Sequence, residues 1–425
     1  MKRAMRDSGV DWIGEIPQDW AVKKLSYLFA EIGSGTTPSS TNPAFYDGDI
    51  EWVNTGDLND GLLFETSKKI TQDALSEYST LKIYDENALI IAMYGATIGK
   101  TAITKMKCTV NQACCVLAKA INVDIRYVHF WFLQNKNNII SLSYGGGQPN
   151  ISQDTIRTLK IQVPPFEEQK TIADYLDKKC AEIDAVINSK QEQNKLLKEQ
   201  RQSIIYEAVT KGLDKNAPMK DSGVEWIGEI PQKWSVRRLK YCVSQRMEKV
   251  LYEMNQEPLL YLGLEHIEQQ TGKIEKNYLP IYDFEGDTIK FKSGDVLFGK
   301  LRPYLAKCYL AQDSGKCSSE FLVLTPNDCF ENKYVAYGML SKGFIDYVDS
   351  STFGVKMPRA DWEFISKLEF PTPPRSVQKT ITEYLDNKCA ELDRLIQANI
   401  TTINELKEYR QSVIFEAVTG KMEIG

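Results

Sequence analysis

The stretch with the most chemical promise is Gly95-Ala96-Thr97-Ile98-Gly99-Lys100-Thr101, whose residue types are those that cradle a nucleotide phosphate. Such a loop needs four residues between its glycines so that successive amides curve around the anion, and here only three intervene. The matching stretch of the second half, Phe298-Gly299-Lys300-Leu301-Arg302-Pro303, lacks the pattern, and no aspartate-ending strand offers a magnesium partner. Carboxylates such as Glu167, Glu168, Asp174 and Asp177 fall on polar faces and first turns of helical stretches, where they suit the positive end of a helix dipole. Two histidines (His129, His266) and nine cysteines without a CxxC leave no zinc spacing. No Ser/His or Cys/His arrangement recurs in both halves. The sequence therefore assigns no catalytic residue and no metal ligand, and catalysis by this chain alone is not expected.

A different chemistry is better supplied. Val163-Pro164-Pro165-Phe166 has the outline of the motif with which amino-methylating enzymes hold a target base, but its valine cannot accept a hydrogen bond. It reads as helix punctuation. Tyr144-Gly145-Gly146-Gly147-Gln148-Pro149-Asn150 places amide side chains beside glycines that let backbone approach a ligand closely. Glutamine and asparagine pair bidentately with adenine, and arginine or lysine with guanine. The corresponding place in the second half is Ser351-Thr352-Phe353-Gly354-Val355-Lys356-Met357, followed by Arg359. Gly33-Ser34-Gly35-Thr36-Thr37-Pro38 is a further small loop, with hydroxyls suited to phosphates. Charge agrees in part. The net charge is −5, yet Asn87 to Gln153 holds one acid (Asp124) against six cations, and Thr288 to Ser319 holds six cations against two acids. One basic stretch thus stands in each half of an acidic chain.

The elements that must carry these residues follow from the whole sequence. At 425 residues, 42% hydrophobic and 26% charged, the chain reads as a soluble protein of roughly two to three domains with real cores. No apolar run approaches the roughly 18 residues of a membrane span, and no signal-peptide pattern follows Met1. The thiols fit a reducing cytoplasm.

A repeat dominates the organisation. Asp7–Trp20 returns as Asp221–Trp234 with 12 of 14 positions identical, Tyr175–Asp184 as Tyr384–Asp393, and Arg201–Thr210 as Arg410–Thr419. This is a tandem duplication of a whole unit. The middles, Ser34 to Tyr144 and Gln245 to Ser350, do not repeat legibly. Their aromatic and β-branched runs, punctuated by Gly and Asp, predict short strands, turns and a few helices. From Phe166 to about Lys211 and from Arg375 to about Gly420 no proline occurs, which predicts two helices of roughly 65 Å. Leu176, Ile183, Lys190, Leu197 and Ile204 stand seven apart, as do Leu385, Leu392, Asn399, Leu406 and Val413. A second row reads as Ile172 and Val186, and Ile381 and Leu395. In an antiparallel packing Lys190 and Asn399 would meet in one layer and set the register.

The ordered combination resembles the specificity subunit of type I restriction–modification enzymes. It is carried by Trp-Ile-Gly-Glu-Ile-Pro-x-x-Trp opening each half and Gly-Gly-Gly-Gln-x-Asn-Ile at 145–151. Pro-Pro-x-x-x-Gln (Gln169, Gln378) leads into Ile-x-x-Tyr-Leu-Asp, and Arg-Gln-Ser-x-Ile-x-Glu-Ala-Val-Thr closes each half. The second copy departs at 353–356. The resemblance implies an α/β (α+β) fold: two mixed α/β target recognition domains joined by two long antiparallel coiled-coil helices, in a pseudo-twofold tandem repeat. The expected boundaries are 1–165 (first recognition domain and frame), 166–212 (first spacer helix), 213–230 (linker and repeated frame), 231–374 (second recognition domain) and 375–425 (second spacer helix). It implies a non-catalytic subunit whose domains each read half of a bipartite site in double-stranded DNA. Two methyltransferase subunits would dock on the helices and two motor–nuclease subunits join through them; S-adenosylmethionine, ATP and Mg²⁺ would sit on those partners, none in this chain.

On that reading Lys100, Lys105, Lys300, Arg302 and Lys307, with Thr36 and Thr37, position phosphates. Gln148, Asn150, Lys356, Arg359, Tyr94 and Tyr304, within segments that include Tyr144, Gly146 and Thr352, reach base edges. Tyr175, Asp177, Arg201 and Glu207 and their copies Tyr384, Asp386, Arg410 and Glu416 are expected to carry partner contacts. A tandem protein-interaction scaffold without a nucleic-acid role is the rival reading.

Overall fold

The structure, a computed structural model, describes residues 3–143, 150–249, 259–281, 286–352 and 358–424. The chain divides into two compact units, Met1–Ser189 with Thr401–Gly425, and Lys190–Ile400. Among the described residues no helix is long and apolar enough to cross a membrane.

Both long helices form as their unbroken sequences demand. The first spans Phe166–Lys211 and the second Arg375–Val418, and each gives part of its length to each unit. Each starts where a Pro-Pro pair ends a strand, Lys160–Val163 or Glu369–Thr372. Each stops just before a glycine in the left-handed region, Gly212 (φ +74°) and Gly420 (φ +69°). These glycines also sit against the repeated frame. A Cβ on Gly212 would lie 3.0 Å from the Trp234 ring, and one on Gly420 would lie 2.4 Å from Pro17. The Ile-Pro-x-x-Trp of each repeat is thus the seat on which a long helix ends. Buried tyrosines fasten the same ends: the Tyr127 hydroxyl lies 3.2 Å from the Val418 carbonyl, and that of Tyr334 lies 3.0 Å from the Val209 carbonyl.

Within each unit two helix segments pack antiparallel. In the first, Ile183 and Ile187 meet Ile403 and Leu406, while Ile172, Leu176 and Cys180 share a core with Val413, Ile414 and Ala417. The expected second seam row is not the observed one, because Val186 and Leu395 are 45% and 49% exposed. The covered partner rows are instead Ala173–Cys180–Ile187–Asn194–Arg201 and Thr382–Cys389–Ile396–Ile403–Arg410. These rows are at heptad spacing, but cysteine, asparagine and arginine hide them from a search for aliphatic residues.

Lys190 and Asn399 do meet, in the second unit. The Lys190 ammonium donates to Asn399 Oδ1 (3.1 Å), and Asn399 Nδ2 lies 2.9 Å from Asn194 Oδ1 and 3.1 Å from Gln193 Oε1. A polar layer tolerates one register, since any slip leaves its donors among apolar neighbours. The Lys190→Leu/Asn399→Leu double variant is expected to raise stability by about 1–3 kcal/mol while loosening register. Distances between spin labels on the two helices should broaden; one sharp, unchanged distance would remove the register role.

Each unit carries a central sheet covered on both faces. In the first the order is Phe29–Gly33, Cys114–Ala120, Leu89–Ala92, Thr101–Thr104, Gly61–Leu63. Leu89 and Ile91 face Tyr127, Trp131 and the long helices, whereas Ile90 and Ala92 face a second cluster with Val53, Tyr84 and Val110. A run such as Leu-Ile-Ile-Ala is therefore buried throughout, as a sheet with two covered faces requires. The second unit repeats the plan in the order Val243–Arg246, Phe321–Pro326, Val296–Gly299, Cys308–Leu310. Val296 and Phe298 face the helices, and Leu297 packs with Phe291 and Cys317.

Candidate nucleic-acid interface

In the first unit several loops converge on one end of the central sheet. The strand Leu89–Ala92 runs out into Met93 and Tyr94, turns through Gly95–Thr97 and returns as Thr101–Thr104. The glycine–lysine stretch thus joins two antiparallel strands, not a strand and a helix, so no helix N-terminus backs a phosphate cradle. Tyr94 pairs as an isolated bridge with Asn150, and the Met93 amide donates to the Ala113 carbonyl at 2.8 Å. Beside Ala113, the exposed Gln112 receives the Thr37 hydroxyl at 2.6 Å, while the Thr36 carbonyl accepts from the Trp52 indole at 3.2 Å. Gly35 is required here, since a Cβ would lie 1.7 Å from the Val110 carbonyl oxygen. Thr36, Thr37, Tyr94, Lys100 and Asn150 are thereby gathered at one edge. Sequence reasoning missed Gln112, although the polar pair Asn111-Gln112 interrupting the apolar run Cys108–Leu117 was its signal.

The second unit builds the same place from different residues. Val296–Gly299 turns through Lys300, Leu301, Arg302 and Pro303–Leu305 into Cys308–Leu310. Leu301 bridges Arg359, as Tyr94 does Asn150. Arg302 holds a left-handed backbone (φ 53°) that turns its exposed side chain out beside Tyr304, itself 46% exposed. The Arg359 guanidinium is held by Glu320, at 2.8 and 3.2 Å. Thr352 spends its hydroxyl on the Asp349 carbonyl (2.8 Å).

Two expected residues stand apart. Lys105 lies beyond the far end of the Thr101–Thr104 strand and donates to Asn87 (2.8 Å). Lys307 donates to the Leu264 carbonyl at 2.7 Å. Tyr144, Gly146, Gln148 and Lys356 lie outside the described residues.

The two basic stretches need correcting as surfaces. Lys107 pairs with Asp85, Lys119 with Glu31, Lys136 with Asp60, and Arg126 with Asp124, Asp174 and Asp177. Lys290 pairs with Glu248. Acids thus pair with four of the six cations in the first stretch, and with Lys290 in the second. Lys100, Lys300 and Arg302 are left without an acidic partner among the described residues, and all three stand on the equivalent end-of-sheet turns.

The expected docking residues are placed as follows. Tyr175 packs against the first unit's core, Asp177 lies 2.9 Å from Arg126, and burial raises its carboxyl pKa against that pull. Asp386 takes Lys333 at 2.6 Å and the Tyr337 hydroxyl at 2.9 Å. Arg201 is buried, Arg410 lies 3.2 Å from Asp184, and Tyr384 is 37% exposed. Glu207 is exposed, and the Glu416 carbonyl accepts from Lys421 and Met422.

His129 anchors the helix layer beside this sheet. Its Nδ1 lies 3.3 Å from the Thr101 hydroxyl and its Nε2 3.3 Å from the Asp60 carbonyl, the pairing of a neutral ring. Burial lowers its pKa from 6.5 to about 4. Between those values the unfolded chain takes a proton that the folded chain refuses, so its contribution is complete above pH 6.5 and lost as pH falls. The gap is worth up to ~3 kcal/mol at pH 4. Denaturation of wild type and His129→Gln should therefore diverge on acidification, the wild type losing more; parallel curves would refute it.

All nine cysteines are unpaired, eight of them buried. Burial pushes the Cys108 and Cys115 thiols up to about 12, which makes them inert packing residues.

Comparison with known proteins agrees with this architecture. The model of the type I restriction modification DNA specificity domain matches residues 17–198 and 245–408. The EcoDI type I restriction enzyme specificity subunit of Escherichia coli is 22% identical over 96% of this chain and 90% of that one. The MjaVIII specificity subunit of Methanocaldococcus jannaschii is 21% identical over 96% and 94%. A chain solved in work on complex assembly and conformational transition of the type I R-M system shares the fold, with a TM-score of 0.72 and 16% identity over 96% of this chain and 99% of that one. With both matched segments lying on the two heads and the helices that carry them, the chain belongs to the type I restriction modification DNA specificity family.

Proposed function

We infer that each unit reads one half of a bipartite double-stranded DNA site with its end-of-sheet turn, while the reaction chemistry belongs to other chains. The observation that carries this is that Lys100, Lys300 and Arg302, all on the equivalent end-of-sheet turns, have no acidic partner among the described residues. A cation without a partner on an exposed turn is available to a phosphate, and one such turn occurs in each unit. Tyr94 and Tyr304 flank these cations, and Asn150, Arg359, Gln148 and Lys356 supply groups for base edges. Thr36, Thr37 and Gln112 extend the first edge. The two clusters differ in the groups they offer to base edges, amides in the first and cations in the second, so the half-sites they read differ in sequence. Two methyltransferase subunits dock on faces that include Tyr175, Glu207, Tyr384 and Glu416, bringing S-adenosylmethionine. Two motor–nuclease subunits join through them with ATP and Mg²⁺, and the assembly works in the cytoplasm.

The test is methylome sequencing of cells with and without this gene. Loss of one bipartite adenine-methylation motif supports the reading, and an identical methylome refutes it.

A further inference from the structure

The duplication provides an internal comparison. In the second unit Arg201 is covered by a turn from its own head. Gln270, in the left-handed region (φ 62°), and Thr271 offer successive carbonyls to the Arg201 guanidinium, the Thr271 contact at 2.9 Å. Lys273 then pairs with Asp393 at 2.6 Å, and Lys276 reaches Gln397. The turn rests on Leu340, which would lie 3.1 Å from a Cβ on Gly272. Arg201 is left with 5% of its side-chain surface exposed and Asp393 with 21%.

The equivalent pair in the first unit is Arg410 and Asp184, whose guanidinium and carboxylate lie 3.2 Å apart. The head's own turn starts the same way. Asp60 has φ 58°, and its amide donates to Thr101 at 2.8 Å as that of Gln270 donates to Ala306 at 3.2 Å. It then diverges. Asp60 spends its carboxylate on the Thr101 amide and Lys136 and its carbonyl on His129, and the chain continues as the strand Gly61–Leu63. Among the described residues no carbonyl reaches Arg410, and Asp184 is its one charged partner. Arg410 and Asp184 are 26% and 48% exposed at the side chain, and they line an open cavity of about 1030 Å³ with Phe130, Cys180 and Ala181.

We propose that this cavity is a docking site for a reverse turn of a partner polypeptide. Two successive carbonyls of that turn accept from Arg410, and a lysine two residues beyond the second pairs with Asp184. The second unit shows the bound form of this contact made intramolecularly. Charge selects the same occupant: carboxylates outnumber cations seven to four along the cavity wall, which repels phosphate and favours a lysine. A second copy of the chain cannot supply the turn, because its own Gln270–Lys273 segment is engaged at Arg201. The site is single in each chain, whatever sequence the heads read.

The probe is a fluorescein-labelled peptide spanning Glu268–Lys276 of this chain, titrated against the full-length protein. One peptide per chain should bind saturably. Arg410→Gln and Asp184→Asn should each weaken it about tenfold, the loss of one charge-assisted contact. A peptide with alanine for the lysine of position 273 should lose about tenfold on the wild type and nothing further on Asp184→Asn. The wild-type arm of that comparison needs only a change in the peptide, so it stands even where a protein variant folds poorly. No saturable binding up to millimolar peptide, two peptides per chain, or affinity indifferent to Arg410→Gln and to the peptide lysine would each overturn the proposal.

Discussion

Replacing Lys300 and Arg302 together with alanine should weaken DNA binding by the assembled complex about a hundredfold near physiological salt. Each side chain projects from the second unit's exposed turn with no acidic partner among the described residues, so neither must break an internal ion pair to meet a phosphate. Two charge-assisted contacts of ~1.5 kcal/mol each give ~3 kcal/mol, or about a hundredfold. A more specific signature lies in the salt dependence, since each lost phosphate contact lowers the slope of log K against log salt by about 0.9. The variant's slope should therefore fall by nearly two, while the methylated sequence stays the same, because phosphate contacts carry no base information. Lys307→Ala is the internal control. Its ammonium is committed to the Leu264 carbonyl, and its loss should leave the slope unmoved. A double variant with an unchanged slope would exclude this turn from the DNA surface.

The second large effect concerns two glutamines. Gln378 is fully buried at the first turn of its helix. Its Oε1 accepts from the Glu331 amide at 2.8 Å, and its Nε2 lies 2.9 Å from the Pro373 carbonyl and 3.2 Å from that of Cys329. Gln169 repeats this, accepting from Asp124 at 2.8 Å and donating to Pro164 at 2.9 Å. One amide group thus ties the start of a spacer helix to the start of the helix that lies on the sheet. Gln378→Ala leaves an amide and two carbonyls buried without partners and should cost ~3 kcal/mol or more. Gln378→Glu should be at least as damaging, since a carboxylate accepts but cannot donate to Pro373, and its charge would be buried. Chemical denaturation decides: a Glu variant close to wild type would show that the donor side of the clamp is unimportant.

Much of the frame was legible because its signals are local. Pro-Pro pairs, terminal glycines and the absence of interior proline mark the long helices within a few residues of their observed ends. The repeated Trp-Ile-Gly-Glu-Ile-Pro-x-x-Trp announced a shared part, though only the structure shows Trp20 and Trp234 seating helix ends. The second seam row was misread because Cys180, Cys389, Arg201 and Arg410 do not look like core residues until the rest of the seam is known. The basic stretches misled for a related reason. Asp85, Glu31 and Asp60 are distant in sequence from the lysines they neutralise, and no local window can include both. Lys100, Lys300, Arg302, Tyr94 and Asn150 were found as residue types in loops, but their convergence depends on strand pairing, which sequence alone did not supply. Lys105, placed with them by charge, belongs to the other end of its strand.

The seat of Gly420 on Pro17 has a consequence for biosynthesis. The first unit draws its core from segments on either side of the second unit: Trp20 and Leu25 are made before it, Val413, Ile414 and Val418 after it. The second unit is one continuous stretch. During translation the later-made unit can therefore complete its interior first. The earlier-made lobe must wait, its apolar face bare, until the helix turns beyond Thr401 emerge to close it.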